Sequence, residues 1–331
     1  MSTTSVQEAL FKRIREMIPA TDTVVDTIGE LLHLSHDSAY RRIRGETPLV
    51  LEEASLLCRH FNISLDSLMD ISADAVVFRN IRIDNEAYSY EKYISGLLGL
   101  ASHIAAKSRK EIVYLTKDVP IFHNFYFQPL IAFRYFFWMK SILQHPDFSN
   151  QEFSFDGVTA EITELSRQLA RAYTQTPSIE IWNTECINST ISQIEFYKES
   201  GLFSSVGDVK AVYEALEETV LHLRTQVEAG EKFMPGEKPT GQGAPFRFFY
   251  NRVILGDNTI LVTADETKTV YINYDVLNYM ATSDTVFCLQ CSRDLQNLMR
   301  KATLISETGE RQRNIFFHIL LSKIRDRKNN L

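Results

Sequence analysis

The sequence is poor in cysteine, in unbroken apolar stretches and in positive charge, and each shortage removes a class of protein. Four cysteines (Cys58, Cys186, Cys288 and Cys291) are too few to staple a chain of 331 residues, and they fit a reduced, intracellular set. The most apolar segment, LIAFRYFFWMKSIL from Leu130, is too short to span a bilayer and carries Arg134 and Lys140, so a buried helix is expected and no membrane association. The first residues, MSTTSVQEALFKRIREMI, place charges where a secretion signal needs its apolar run, and a cytoplasmic location is expected. Lys and Arg number 35 against 42 Asp and Glu, a net charge of −7, which excludes a long polybasic tail but leaves a local basic face open. No HExxH, P-loop or nucleophile elbow is present, so no catalytic residue, metal ligand or cofactor is assigned and no enzyme is expected.

What is present is ordinary globular material. The chain is 44% hydrophobic and 23% charged, enough to bury a substantial core. Its length suggests two domains, placed at residues 1–72 and 91–331 with a connection over 73–90. The connecting stretch, SADAVVFRNIRIDNEAYS, lacks the Pro, Gly and Ser of a flexible linker, and docked domains are expected.

Five short helices account for the first seventy residues. Leu10, Ile14, Met17 and Ile18 give helical spacing in the first, which Pro19 stops. Thr21 or Asp22 can cap the second, with Val24, Val25, Ile28, Leu31 and Leu32 on its apolar face. Ser35 caps a third, LSHDSAYRRIRG, which Gly45 ends in a left-handed conformation shortly before Pro48. The fourth buries Leu51, Ala54, Leu57, Cys58 and Phe61, and the fifth opens on Ser64.

Residues 5–71 thus resemble the Xre, or lambda-repressor-like, helix-turn-helix family. Gly29 matches the small residue that lets the second and third helices cross, and Leu32 the apolar residue that locks them. Leu34 and Ser35 match the turn and cap, Ala39 the small anchor inside the third helix, Gly45 and Pro48 its stop, and FNISLDSL the closing segment. Two positions depart: His33 stands where the turn often has glycine, and Arg42 where an apolar residue is usual, the apolar group coming one later at Ile43. The rotation of the last turn, and so the choice between Arg41 and Arg42, stays open.

The resemblance implies a sequence-specific transcriptional regulator that binds double-stranded DNA as a homodimer on a palindromic site. It implies that His36, Asp37 and Arg41 read bases, and that Ser38, Tyr40, Arg42 and Arg44 touch the DNA backbone. Without the neighbouring helices the same arginines would only offset a helix dipole. A protein-interaction adaptor with a non-reading copy of the fold, and an enzyme recruited to DNA, are the alternatives.

The second domain resembles no family. A helix is expected over Tyr90–Lys107, as core or dimer contact, then strands KEIVYLT and SIEIW, a helix over Pro129–Leu143 and another over Ile187–Lys198. Val209, Tyr213, Leu216, Val220, Leu223 and Val227 alternate four and three apart, which suits a coiled-coil seam or packing inside the domain equally. Gly230–Pro245 is read as a mobile surface loop, in which Gly241 and Gly243 lack the third glycine of a dinucleotide fingerprint. Three strands with a hairpin turn at Gly256, Asp257 and Asn258, and helices over Asp294–Ile305 and Arg311–Ile324, complete an α/β or α+β domain with a mixed sheet and long helices. Its role is effector sensing or dimerisation. Cys288 and Cys291 form a lone CxxC with no further zinc ligands nearby, read as core thiols. Phe122, His123, Phe125, Tyr126 and Trp138 either line a pocket for a small-molecule effector or belong to the core.

Overall fold

The computed structural model describes residues 5–18, 23–61, 63–69, 76–81, 90–253, 256–274 and 278–331. The chain divides into two compact units, Met1–Val77 and Phe78–Leu331, each with its own core.

The first unit is all helical: α1 (Val6–Arg15), α2 (Val24–Leu32), α3 (His36–Ile43), α4 (Leu51–His60) and α5 (Leu65–Met69). Ser5 and Glu8 exchange backbone and side-chain hydrogen bonds at the start of α1, satisfying amides that a helix end leaves without partners. Thr23 caps α2, later than expected; Thr21 and Asp22 lie outside the described residues. Ser35 caps α3, and Gly45 follows it with φ +75°.

The helices close on Leu10, Phe11, Ile14, Ile28, Ala39, Ile43, Leu57, Cys58 and Phe61. Phe11 was not picked out by spacing, whereas Met17 and Leu51, expected inside, are exposed. Both exposed residues sit where the chain turns away from the core: Met17 lies beyond α1, and Leu51 is the first residue of α4.

Gln7 ties the unit together. Its Nε2 donates to the carbonyls of Arg42 (2.7 Å) and Thr47 (2.9 Å), and its Oε1 accepts from the Leu49 amide (3.0 Å). One amide therefore fixes the α3–α4 loop against α1, serving the Thr47 carbonyl and Leu49 amide and adding to the Gly45 amide at the Arg42 carbonyl.

The second unit is built on a mixed nine-stranded sheet with strands β1 (Arg79–Ile81), β2 (Lys110–Leu115), β3 (Ser178–Trp182), β4 (Glu231–Lys232), β5 (Ala244–Tyr250), β6 (Thr259–Ala264), β7 (Thr267–Asn273), β8 (Tyr279–Thr282) and β9 (Thr303–Leu304). Their order is β1-β8-β7-β6-β2-β3-β5-β4, with β9 also on β5. The β2–β3 and β3–β5 pairs are parallel and the others antiparallel. Parallel neighbours need crossovers, and the helices supply them. β1 falls inside the stretch expected as a connection and pairs with β8.

Strand side chains alternate between faces. Ile112, Tyr114, Glu180, Trp182, Phe246 and Phe248 face the larger core with α6 (Tyr90–Ala105), α7 (Gln128–Phe137), α8 (Ala160–Thr174), α9 (Asn188–Glu199), α10 (Val206–Ala229) and α12 (Glu310–Lys328). Val113, Ile179, Ile181, Phe249, Leu261 and Val270 face α11 (Thr285–Lys301). The four-and-three residues of α10 are all buried in this core, so packing within the unit accounts for them. α11 begins well before Asp294, and Cys288 and Cys291 lie one turn apart on its sheet-facing side. No described helix is long and apolar enough to cross a membrane.

Two loops differ from expectation. The turn at Gly256–Asn258 is no hairpin, because β5 pairs with β3, β4 and β9, while β6 pairs with β2 and β7. The Asn258 side chain accepts from the amides of Lys117 (2.8 Å) and Asp118 (3.4 Å), anchoring the turn to the end of β2. The tight hairpin is at Asp265, φ +53°, between β6 and β7. The Gly230–Pro245 loop is anchored too: the buried Glu231 carboxylate accepts amides of Thr240, Gly241 (3.1 Å) and Gly243 (2.8 Å). A Cβ on Gly243 would stand 2.9 Å from that carboxylate.

Replacing Gln7 with Ala strands the Thr47 carbonyl and the Leu49 amide, the Arg42 carbonyl keeping the Gly45 amide, at about 1–3 kcal/mol where they stay dry. Hydrogen exchange of the full chain is expected to speed up in α1 and the 42–49 loop and to leave the second unit unchanged; protection equal to the parent's would contradict this.

Candidate functional site

Two places combine exposed or unpaired polar groups with a defined scaffold. The first is the outer face of α3. Ala39 and Ile43, four residues apart, are buried and fix the helix's rotation. His36, Asp37, Tyr40, Arg41 and Arg44 consequently lie exposed, and Ser38 is half-buried beside the Ser35 cap, 3.0 Å from its hydroxyl.

Arg42 has a different fate. Only 17% of its side chain is exposed, and its guanidinium grips the Glu53 carboxylate of α4 through Nε (3.0 Å) and Nη2 (2.9 Å). Hydrogen bonding from Arg42 outweighs desolvation and holds the Glu53 carboxyl below its ordinary pKa. The apolar slot at this position is thus filled by the arginine's stem, with its head paired. Arg42, expected at the DNA backbone, is committed to joining α3 and α4.

Arg41 and Arg44 remain outside, at 55% and 58% side-chain exposure. Glu46 approaches both, 3.9 Å from Arg41 and 3.5 Å from Arg44, and Arg44 also lies over the Tyr40 ring at 5.6 Å. Exposed pairs of this kind contribute about 0–1 kcal/mol, so an anion of higher charge displaces Glu46 at small cost.

The second place is a cavity of about 190 Å³ in the larger unit. Phe122 and Trp138 of the expected pocket line it; His123, Phe125 and Tyr126 lie buried away from its wall. Most of the wall is apolar, from α6 (Leu97, Ile104), β2 (Ile112) and the meander (Ile260, Val262). Trp138 opens a π-helical turn, Trp138–Ile142, that continues α7. One turn before Trp138 stands Arg134, which also reaches the cavity. Phe122 stacks on Tyr173 with centroids 4.1 Å apart.

Beneath this wall lies a polar network that sequence spacing did not reveal. Glu180, in the middle of β3 and fully buried, accepts from His123 Nε2 (3.0 Å), Tyr173 Oη (2.6 Å) and Trp182 Nε1 (2.7 Å). Burial by itself would raise the Glu180 pKa. The charge and hydrogen bond of His123, the Tyr173 hydroxyl and the charge of Lys232 outweigh it and bring the pKa below the ordinary value. Lys232, also buried, donates to the Tyr173 carbonyl (2.7 Å) and lies 3.7 Å from that ring's centroid. Desolvation pulls its pKa down to about 7, against the opposing charge of Glu180. Neither His123 nor Glu180 reaches the cavity surface, so the pair holds its floor in place rather than meeting a ligand. A glutamate inside the run SIEIW was the available signal: a charge amid β-branched and aromatic neighbours in a central strand.

The remaining thiols are reduced. All four cysteines are free, and burial pushes the Cys291 thiol up to about 11 and Cys288 in the same direction, disfavouring the reactive thiolate. No group of three metal-ligating side chains gathers among the described residues. A comparison with protein-family models finds no match, and comparisons with curated proteins and with solved structures find none either.

The depressed Lys232 pKa carries a sign. Between pH 7 and its unfolded value the unfolded chain holds the proton that the folded lysine has lost, so stability gained from this group rises with pH. Glu180 acts elsewhere, stabilising above its unfolded value and losing that contribution as pH falls through its folded one. Both tryptophans, Trp138 and Trp182, report on the second unit alone. Urea unfolding followed by their fluorescence is expected to show the parent gaining stability relative to Lys232→Met from pH 7 to pH 9, the buried thiols contributing equally to both. An unchanged slope in the variant would contradict the assignment.

Proposed function

We propose that the protein is a sequence-specific DNA-binding transcriptional regulator, acting as a homodimer, in which α3 reads the major groove and the second unit senses an effector. The observation that carries this is the division of the three α3 arginines: Arg42 is largely buried and paired with Glu53, while Arg41 and Arg44 are more than half exposed, turned away from the buried Ala39 and Ile43, and share only the exposed Glu46 as an ion-pair partner among the described residues. The short α2–α3 turn also favours it. His33 adopts φ +54°, and the buried Gly29 allows the close approach, since a Cβ there would lie 3.2 Å from the Leu34 carbonyl. In a helix-turn-helix unit of the lambda-repressor type this geometry presents the N-terminal half of the second helix to base edges.

Roles then follow from chemistry. Arg41 donates two parallel hydrogen bonds to a guanine, Asp37 accepts from a cytosine amine, and His36 offers a ring nitrogen to a base edge. Ser38, Tyr40 and Arg44 approach phosphates. The net charge of −7 keeps non-specific affinity low and makes these local contacts decisive.

Changing Arg41 to Ala is expected to weaken specific binding by about 1–3 kcal/mol and relax preference at one base pair of each half-site. Arg42→Ala is expected instead to loosen α3 against α4, seen as faster hydrogen exchange there without a change in which base is preferred. Fluorescence anisotropy on matched and single-mismatch duplexes checks both. Undiminished discrimination in Arg41→Ala would remove this assignment.

A further inference from the structure

We propose that the cavity of the second unit binds a small monocarboxylic acid with a ring-sized apolar body, whose carboxylate is held by Arg134. This names the ligand chemistry of the effector role proposed above, and it stands on the second unit alone, with no need of a DNA contact.

The main observation is a buried cation without a direct ion pair, the Asp118 carboxylate on the same wall acting on it only through space. Arg134 is 7% exposed, yet its guanidinium finds only neutral partners, the Thr190 hydroxyl and the Gln193 side-chain carbonyl of α9. Its Nε is buried with no hydrogen-bond partner among the described residues, and none of the ion pairs formed by them includes it. Other inner charges are partnered directly: Glu180 and Arg42 by ion pairs with His123 and Glu53, and Glu231 by three backbone amides. Burial draws the Arg134 pKa down to about 10, which leaves the guanidinium charged at neutral pH. A buried charge compensated only through space, by Asp118, is costly unless something completes it. A planar carboxylate is the group that a guanidinium fork receives best.

A second polar atom on the same wall lacks a partner. Asn124 lines the cavity, and its buried Oδ1 has none. The Asn124 Nδ2 donates to the Pro120 carbonyl (3.5 Å), so its Oδ1 is left as an acceptor, which suits a donor such as an ammonium group on the ligand.

Size and charge narrow the class. An apolar protein cavity of about 150 Å³ holds a benzene, so about 190 Å³ admits one ring with a short acidic arm. Asp118 also lines the cavity, and its charge acts on Arg134. A second acidic group on the ligand would meet that carboxylate, so dicarboxylates are disfavoured, whereas an ammonium group is tolerated.

The test uses the full chain and calorimetric titration, with phenylacetate, phenylalanine, benzyl alcohol and phenylmalonate as probes. Phenylacetate or phenylalanine is expected to bind about tenfold or more tighter than benzyl alcohol and phenylmalonate. Arg134→Gln is expected to abolish the preference for the acid over the alcohol, and Leu97→Trp, which fills the cavity while leaving Arg134 intact, to abolish binding. Equal affinity for acid and alcohol in the parent protein overturns the proposal whether or not Arg134→Gln folds, as does acid binding that survives both substitutions, or no acid binding at all. DNA affinity of the same preparation keeps the two proposals apart. Acid binding without DNA binding supports the ligand site and removes the regulator; DNA binding without acid binding removes the ligand site alone.

Discussion

Taking a charged group out of water costs several kcal/mol unless another group replaces the water, and this constraint organises both units. Glu180 sits at the centre of the large sheet and is tolerated because a histidine, a tyrosine and a tryptophan donate to it at once. Those three donors come from the segment after β2, from α8 and from β3 itself, so one carboxylate fixes the register of three pieces of chain. Glu231 does the same for the Gly230–Pro245 loop by collecting three backbone amides. In the first unit Glu53 answers Arg42 and locks α3 to α4. Arg134 breaks the pattern, and it does so at the wall of the cavity.

The pairing of Arg42 has a consequence for surface chemistry. With Ala39 and Ile43 inside and Arg42 spent on Glu53, the rotation of α3 leaves Arg41 and Arg44 outward together with His36 and Asp37. The exposed Glu46 competes for both arginines, and Tyr40 for Arg44, through weak surface contacts. An outward face of two arginines, a histidine and a carboxylate on a rigid, capped helix suits the reading of base edges, which demands fixed donors and acceptors more than net positive charge. That is the physical basis for proposing a DNA reader in a chain that is acidic overall.

Local signals were legible in the sequence where they repeat or cap. The five helices of the first unit, the Ser35 cap, the Gly45 stop, the strands around KEIVYLT and SIEIW and the apolar ladder of α10 all follow from spacing or backbone chemistry. Pairing across long separations was not legible. Nothing local distinguishes a hairpin at Gly256–Asn258 from the observed turn, since only the partner strands, β3 for β5 and β2 for β6, decide it. The glycine- and proline-rich loop read as mobile because its anchor, Glu231, looks in sequence like any surface acid. Candidate pocket residues divided for a similar reason: Phe122 and Trp138 reach the cavity, while His123 and Tyr126 turn to the Glu180 and Gln226 network instead. Gln7 and Arg134, each decisive in its unit, carry no motif at all; their importance lies in which groups they leave satisfied or unsatisfied.

The most direct measurement of the central claim, that α3 reads DNA, is selection of bound duplexes from a randomised pool by the purified full-length protein, with and without small-molecule metabolites. A dimeric reader of this kind enriches a two-fold symmetric motif whose half-sites lie about one helical turn apart or a multiple of it. Guanines at fixed positions should then match Arg41. A pool that remains random in both conditions would contradict the account and favour a protein-binding role for the same surface.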